Sequence, residues 1–121
     1  MSRVIIAGSR GINDLQIVYD AVIASGFTIT SVLSGTARGV DKLGEYWAHH
    51  HNIAVQRFPA NWGELGKSAG YTRNALMADN ADKLILIWDG HSPGSKHMLD
   101  IARKKGLKIY VHTVHEVKQN E

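Results

Sequence analysis

The chain has 121 residues, a length that predicts one compact domain over residues 1–115 followed by a frayed polar tail over 116–121. It contains no cysteine, which excludes disulfides, thiolate metal sites and cysteine nucleophiles. Its 14 basic and 11 acidic residues give a formal net charge of +3, a mild excess that suits a small anionic ligand as well as nucleic acid. No apolar run approaches a membrane span and the first residues resemble a strand rather than a signal peptide, so we expect a cytoplasmic protein without a membrane partner.

Short apolar runs alternate with segments of helical spacing, a pattern typical of an α/β domain with a mainly parallel sheet. Strands are predicted at 3–7, 29–33, 53–58, 83–88 and 107–111. Helices are predicted from Asn13 or Asp14 to Gly26, over about 40–50, over about 69–78, and from an N-cap at Ser92 to Gly106. The stretch 59–68 is predicted to be a long irregular loop, and this length favours a functional lid.

The turns that follow the first, second and fourth predicted strands are rich in glycine and hydroxyl side chains. Ligands of parallel α/β sheets bind beyond the carboxyl ends of the strands. Glycine lets the backbone approach a ligand there, and the N–H groups at the start of the next helix attract anions. With Arg10, Arg38 and Lys96 as cations, the three turns predict a pocket for a phosphate-bearing ligand. They span 8–11, 34–41 and 89–96.

Two well-known phosphate motifs are absent. The stretch 61–68 ends like a P-loop, but Asn61 stands where that motif requires glycine. The dinucleotide fingerprint fails as well, because the first turn offers only Gly8 and Gly11. An NTPase and a nicotinamide dehydrogenase are therefore not expected, and no cofactor is predicted. Within the same stretch, Trp62 either stacks on a nucleobase or anchors the loop.

The histidines do not predict a metal site. His49, His50 and His51 are adjacent on a predicted helix, so their side chains point in different directions and do not converge on one ion. His91 and His97 lie near the predicted cleft, where either could shuttle protons or simply suit the polar surroundings of a helix start.

Several segments, in order along most of the chain, resemble a known superfamily. They are Ile6–Arg10, Ser34–Asp41, Pro59–Trp62 with Gly66–Gly70, Arg73 and Asn74 with Met77, and Asp89–Ser95. The chain resembles the YspA and YpsA-related branch of the SLOG superfamily, which includes the DNA-processing protein DprA and the Lonely Guy (LOG) phosphoribohydrolases. The resemblance implies a Rossmann-like three-layer sandwich with strand order 3-2-1-4-5. It also implies a pocket for a nucleotide or nucleotide-derived ligand at the strand ends.

The resemblance implies roles for several residues. Gly35 and Gly39 would line the phosphate side, and Arg73 matches an arginine that helps hold or activate the nucleotide in LOG enzymes. The pair Gly94-Ser95 matches the Gly-Thr of their phosphate loop. LOG enzymes place glutamates just after that pair, where this chain has Lys96 to Met98. An oxocarbenium-like transition state needs a nearby negative charge.

A hydrolase of this type would therefore have to recruit another carboxylate. Asp89 is the first candidate, and Asp41 and Glu45 follow. Asp41 also suits a first helical turn on electrostatic grounds alone.

The sequence is compatible with three hypotheses about function. The protein senses or sequesters a nucleotide or nucleotide-derived ligand; it is a nucleoside 5′-monophosphate N-glycosidase; or it binds single-stranded DNA as DprA does. A homo-oligomer is expected, because relatives with this fold generally assemble. Candidate catalytic residues are Asp89, Asp41 and Arg73. Candidate ligand-binding residues are Gly8, Ser9, Arg10, Ser34, Gly35, Thr36, Arg38, Gly39, Asp41, Trp62, Lys67, Arg73, Asn74, Asp89, Gly90, Ser92, Gly94, Ser95 and Lys96.

Overall fold

The structure is a computed structural model that describes residues 2–115, apart from the side chain of Lys67. The predicted tail over 116–121 lies outside the described residues. Strands and helices alternate, and no described helix is long and apolar enough to cross a membrane. In chain order the elements are β1 (Arg3–Gly8), α1 (Leu15–Ser25), β2 (Ser31–Ser34), α2 (Val40–His50), β3 (Ala54–Arg57), α3 (Trp62–Leu65), α4 (Ala69–Asp79), β4 (Lys83–Trp88), α5 (Pro93–Lys104) and β5 (Lys108–Thr113), with a 3-10 turn at Gly66–Ser68.

The five strands form one parallel sheet in the order β3-β2-β1-β4-β5, which confirms the predicted Rossmann-like architecture. In the central ladders Ile5 pairs with Leu33 on one side and with Leu84 on the other. A sheet of this kind is covered on both faces, so its central strands are continuous apolar runs. The strand order reverses beside β1, and the turns after β1, β2 and β4 therefore meet at one edge.

Alternate residues of β1 pack into two separate cores. Ile5 faces α4 and α5, where it joins a cluster that includes Met77 and Met98. Val4 and Ile6 face α1 and α2, where they join a cluster that includes Val18 and Trp47. Because side chains alternate along a strand, one short apolar segment holds helices against both faces of the sheet.

The predicted element boundaries differ from the structure in a few places. Strand β2 begins at Ser31 rather than at residue 29, because its partner β1 begins at Arg3 and pairs Arg3 with Ser31. Strand β5 extends to Thr113, which pairs with the end of β4. The prediction of an irregular loop over 59–68 is wrong, since this stretch contains α3 and the 3-10 turn. The side chain of Asn61 caps α3 by accepting from the N–H of Glu64 at 3.2 Å.

Candidate functional site

Two adjoining cavities open at the carboxyl edge of the sheet. The first cavity, of about 430 Å³, lies between the β1–α1 turn, α4 and the start of α5. The second cavity, of about 470 Å³, lies over the β2–α2 turn. The two share Arg10, Ala37, Trp62 and Arg73. The first is also lined by Ala7, Gly8, Gly11, Asp41, Gly70, Tyr71, Asn74, Met77, Ser92, Pro93, Gly94, Ser95 and Met98, and the second by Gly35, Thr36, Arg38, Pro59 and Ala60.

Ser9 joins the three turns that form this edge. Its carbonyl oxygen accepts from the N–H of Val40 at 3.3 Å, at the start of α2. Its hydroxyl oxygen accepts from the N–H of Asp89 at 3.1 Å and lies 3.1 Å from the Ser92 hydroxyl. Ser9 is buried and lines neither cavity. Its place is therefore beneath the site, where it fixes the spacing of the walls.

Gly39 allows the first and second turns to touch. Its φ is +79° and its ψ is −132°, a backbone conformation that is open almost only to glycine. A Cβ at this position would lie 2.5 Å from the carbonyl oxygens of Ser9 and Arg10. No side chain fits there. The contact brings the start of α2 against the β1–α1 turn, and with it Asp41 into the first cavity.

An arginine and a carboxyl group meet over Gly35. A Cβ on Gly35 would lie 2.6 Å from Nη1 of Arg73 and 2.7 Å from Oδ2 of Asp41. Arg73 donates from Nη1 to the Gly35 carbonyl oxygen and from Nε to Oδ1 of Asn74, the latter at 2.9 Å. Two of its nitrogens are thus held by the protein, and the guanidinium lines both cavities.

Asp41 is a buried carboxyl group with an unusual pKa. Its residue is 5 % exposed, and burial raises the pKa of Asp41 from 3.8 to about 6. The N–H of Ala37, which donates to Oδ2 at 3.2 Å, and the charge of Arg73 act in the opposite direction without cancelling the effect of burial. A carboxyl group with a raised pKa in a cavity is typical of a functional site.

Asn74 links α4 to α5. Its side-chain NH₂ donates to the Gly94 carbonyl oxygen at 3.3 Å and lies 3.1 Å from Nδ1 of His97. Because the Asn74 oxygen already accepts from Arg73, the NH₂ must face His97, and Nδ1 of His97 accepts. The Tyr71 ring lies against His97 with centroids 4.3 Å apart. This chain of contacts ties the position of Arg73 to the start of α5.

Trp62 forms part of the wall between the two cavities. Half of its surface is exposed, and the guanidinium of Arg10 lies 5.8 Å from its ring centroid. Its other end rests on Gly70, where a Cβ would lie 3.3 Å from the ring. The two roles predicted for Trp62 are therefore compatible, because the ring is anchored by packing and still offers an aromatic face to both cavities.

Thr36 lies on the floor of the second cavity in a left-handed backbone conformation with φ +65°. Its N–H donates to the hydroxyl of Ser34 at 3.1 Å, and that hydroxyl lies 2.6 Å from Oε2 of Glu45. Ser34 and Glu45 are both buried, and Arg57 donates to the other Glu45 oxygen at 3.0 Å. Ser34 therefore supports the turn from below and lines neither cavity. A strained non-glycine residue is more common at functional sites than elsewhere.

Asp89 lines neither cavity, although its partner Ser92 lines the first. Its carboxylate accepts from the N–H groups of His91 and Ser92 at 2.8 and 2.9 Å and from the Ser92 hydroxyl. These bonds lower the pKa of Asp89, with the His91 N–H as the largest cause. Ser92 begins α5 as predicted, but its hydroxyl binds Asp89 and does not cap the helix. Asp89 thus organises the turn after β4.

Other predicted site residues also lie outside the cavities. Gly90 lines neither, and Lys96 pairs with Asp100 at 2.9 Å on the exposed face of α5. The side chain of Lys67 lies outside what the structure describes. Within residues 2–115, no three His, Asp or Glu side chains gather as a metal site would require.

Sequence reasoning missed the apolar wall of the first cavity. Met77 and Met98 are buried core residues whose side chains also reach the cavity, and Tyr71 lies at its rim. Met77 on α4 and Met98 on α5 each fit the apolar spacing of a buried helix face. This pattern indicates only burial, because residues of the core and residues of a cavity wall share it. Tyr71 precedes Arg73 by two residues, and no local signal distinguishes it from an exposed aromatic residue.

Comparisons with known proteins agree with this fold. The structure is similar to that of DNA processing protein A (DprA) from Streptococcus pneumoniae, with a TM-score of 0.73 and 15 % sequence identity. The similarity covers 91 % of this chain and 49 % of that chain, so this chain spans about half the length of that protein. No curated protein matches the sequence. The model of the YspA, cpYpsA-related SLOG family matches residues 2–64, which include the first two glycine-rich turns. The chain belongs to the YspA, cpYpsA-related SLOG family.

Proposed function

We propose that this protein binds a nucleotide or a nucleotide-derived ligand in the two cavities, as a sensor or a sequestering module. Family membership supports a nucleotide- or DNA-related function in general. The observation that carries the narrower proposal is the meeting of the Arg73 guanidinium and the Asp41 carboxyl group over Gly35, at the boundary of the two cavities.

The first cavity combines the features that a nucleoside requires. Its volume of about 430 Å³ falls within the usual range of small-molecule sites. Met77 and Met98 supply an apolar wall for a flat ring, and Asp41 and Asn74 supply polar groups for base or ribose atoms. Arg10 and Arg73 supply positive charge for phosphate at the boundary with the second cavity. The candidate residues that line a cavity are the ones we propose to contact the ligand.

The binding proposal predicts a large effect of Arg73→Gln. Isothermal titration calorimetry against the common nucleoside 5′-phosphates is expected to find at least one ligand. Arg73→Gln is expected to weaken its binding by about 10- to 100-fold, the usual cost of losing a charge-assisted hydrogen bond.

Arg103→Gln is the matched control. It removes the same charge from an exposed arginine in the last turn of α5 that lines neither cavity, and is expected to bind like the wild type. Thermal unfolding of both variants separates lost binding from lost folding, since Arg73 also bonds to Gly35 and Asn74. Absence of a nucleotide ligand, or equal affinities in the two variants, would contradict the proposal.

A second candidate function is hydrolysis of a nucleoside 5′-monophosphate at its N-glycosidic bond. The observation that favours it is the buried Asp41 carboxyl group in the first cavity, next to Arg73. The base would leave with the bonding electron pair and take up a proton, and water would then add at the anomeric carbon and give up a proton. Ionised Asp41 would stabilise the ribosyl cation that develops between these events. Of the other two predicted carboxylates, Asp89 is occupied by its own turn, and Glu45 bonds to Ser34 and Arg57 and lines neither cavity.

Base release should then depend on Asp41 and on pH. Because the pKa of Asp41 is about 6, the rate is expected to rise as the pH increases through 6 and the carboxyl group ionises. Asp41→Asn is expected to lower the rate by about 100-fold or more, whereas Asp89→Asn, with its charge change outside the cavity, should retain most of it. Chromatography of the released base measures both. If Asp41→Asn releases base at the wild-type rate, this candidate fails.

Single-stranded DNA binding and self-association remain predictions from the resemblance. An oligothymidylate added to the calorimetry panel tests the first, because electrostatic binding to nucleic acid weakens steeply as salt increases. The exposed side chains of Trp62 and Tyr71 at the rim of the first cavity are compatible with a neighbouring subunit completing the site.

A further inference from the structure

The second cavity carries three guanidinium groups and no carboxylate among its lining residues. They belong to Arg10, Arg38 and Arg73, and the rest of the lining comes from Gly35, Thr36, Ala37, Pro59, Ala60 and Trp62. Within the part of the chain that the structure describes, none of the three arginines lies within ion-pair distance of an acidic side chain. The second cavity therefore concentrates positive charge, of which only that of Arg73 is partly offset by a nearby carboxyl group, Asp41.

Two of the positive groups, Arg10 and Arg73, are close enough to repel each other. Burial lowers the pKa of Arg73, the charge of Asp41 raises it, and the neighbouring charge of Arg10 lowers it further. Like charges that face each other in a cavity are unfavourable unless an anion lies between them. Arg38 extends the same positive region, because it is exposed and lines only the second cavity.

The first cavity has a different charge pattern. Asp41 lines it and does not line the second cavity. When it is ionised, Asp41 repels a phosphate placed beside it but accepts hydrogen bonds from a ribose hydroxyl or a base amino group. The resemblance implies a phosphate at Gly94 and Ser95, yet both lie in this same first cavity with Asp41. Charge favours the nucleoside in the first cavity and the phosphates in the second.

We propose that the ligand is a nucleoside di- or triphosphate that occupies both cavities. This inference rests on the proposed nucleotide binding and adds the length and direction of the ligand. The nucleoside part lies in the first cavity, and the phosphate chain runs between Arg10 and Arg73 to Arg38. A monophosphate carries about −2 charges at neutral pH, fewer than the three guanidiniums can neutralise, whereas a di- or triphosphate matches them.

The proposal includes a specific effect of magnesium. No acidic side chain lines the second cavity to share a divalent cation with the phosphates, so the guanidiniums meet the phosphate charge directly. Magnesium bound to a di- or triphosphate neutralises part of that charge and occupies its oxygens. It is therefore expected to weaken binding, and EDTA to restore it.

Calorimetry of mono-, di- and triphosphates tests this inference. The adenosine, guanosine, cytidine and uridine series are titrated at pH 7.5, at constant ionic strength and with EDTA. In the series that binds best, the di- or triphosphate is expected to bind at least about tenfold more tightly than the monophosphate. Arg38→Gln is expected to remove most of this advantage. Arg103→Gln, which makes the same charge change on α5, is expected to preserve it.

The outcomes distinguish this inference from the proposed function. If mono-, di- and triphosphates bind equally, or if Arg38→Gln behaves like Arg103→Gln, the inference is overturned while nucleotide binding stands. If magnesium strengthens binding of the triphosphate, the inferred direct contact between guanidiniums and phosphates is wrong, and nucleotide binding again stands. If no nucleoside phosphate of any length binds, the proposed function fails, and the inference fails with it.

Discussion

Replacing Gly39 by alanine is expected to lower the free energy of unfolding by about 3 kcal/mol or more. Two costs add at this position. The backbone conformation at Gly39, with φ +79° and ψ −132°, is one that alanine rarely adopts. The new Cβ would also lie 2.5 Å from the carbonyl oxygens of Ser9 and Arg10, so the β1–α1 and β2–α2 turns would have to separate.

Gly26→Ala is the matched control for the backbone cost alone. Gly26 ends α1 with φ +67°, and nothing lies within 4 Å of a Cβ built on it. Its replacement is expected to cost about 1 kcal/mol. Chemical denaturation of both variants measures the difference. Equal losses of stability in the two variants would show that the close contact at Gly39 adds nothing to the cost of its backbone conformation.

At pH 8, Asp41→Asn is expected to increase the stability of the protein by up to about 3 kcal/mol, the equivalent of a pKa raised from 3.8 to about 6. Burial disfavours the ionised carboxylate, and asparagine keeps the shape without the charge. A loss of stability at pH 8 would contradict the prediction. A substitution that stabilises the fold while impairing ligand binding indicates a residue retained for function.

The raised pKa of Asp41 also predicts how the stability of the protein changes with pH. The folded-state pKa of Asp41 lies above its unfolded value, so the folded protein holds this proton more tightly. The stability that comes from this group is therefore fully present below about pH 4 and is lost as the pH rises through about 6. Denaturation curves between pH 4 and pH 8 should contain this decrease in the wild type, and it should be absent from Asp41→Asn.

Asp89→Asn provides a comparison of opposite sign. The pKa of Asp89 is lowered chiefly by the N–H of His91; burial, the second-largest effect, opposes this, and the bonds to Ser92 lower the pKa further. Its contribution to stability is present above its unfolded pKa and is lost as the pH falls through the folded value. At pH 8 we therefore expect Asp89→Asn to destabilise the protein while Asp41→Asn stabilises it.

Most of the fold could be predicted from the sequence because its signals are local. The apolar run of β4 is predicted at its observed bounds, and Asp14 and Gly26 mark the ends of α1 by capping chemistry. The start of β2 could not be predicted, since it depends on where β1 begins. Helix α3 is too short for a periodic pattern, and only the cap at Asn61 marks its start.

The candidate site was predictable only in part. The glycine-rich turns identify the edge of the sheet, and Arg73 was identified through the resemblance. Which carboxylate enters the cavity depends on contacts between distant parts of the chain. Gly39 brings the start of α2, and with it Asp41, against the first turn. The carboxylate of Asp89 instead accepts from the backbone of its own turn. No local pattern distinguishes these two aspartates.

The bonds of Ser9 have a consequence for which wall of the site can adjust to a ligand. Because this residue holds the turns after β1, β2 and β4 to one another, those walls can separate only if its bonds to Val40 and Asp89 break. The wall that includes Pro59 and Trp62 is attached by a four-residue helix and a 3-10 turn instead. We therefore expect the segment 59–68 to be the wall that adjusts most readily when a ligand binds.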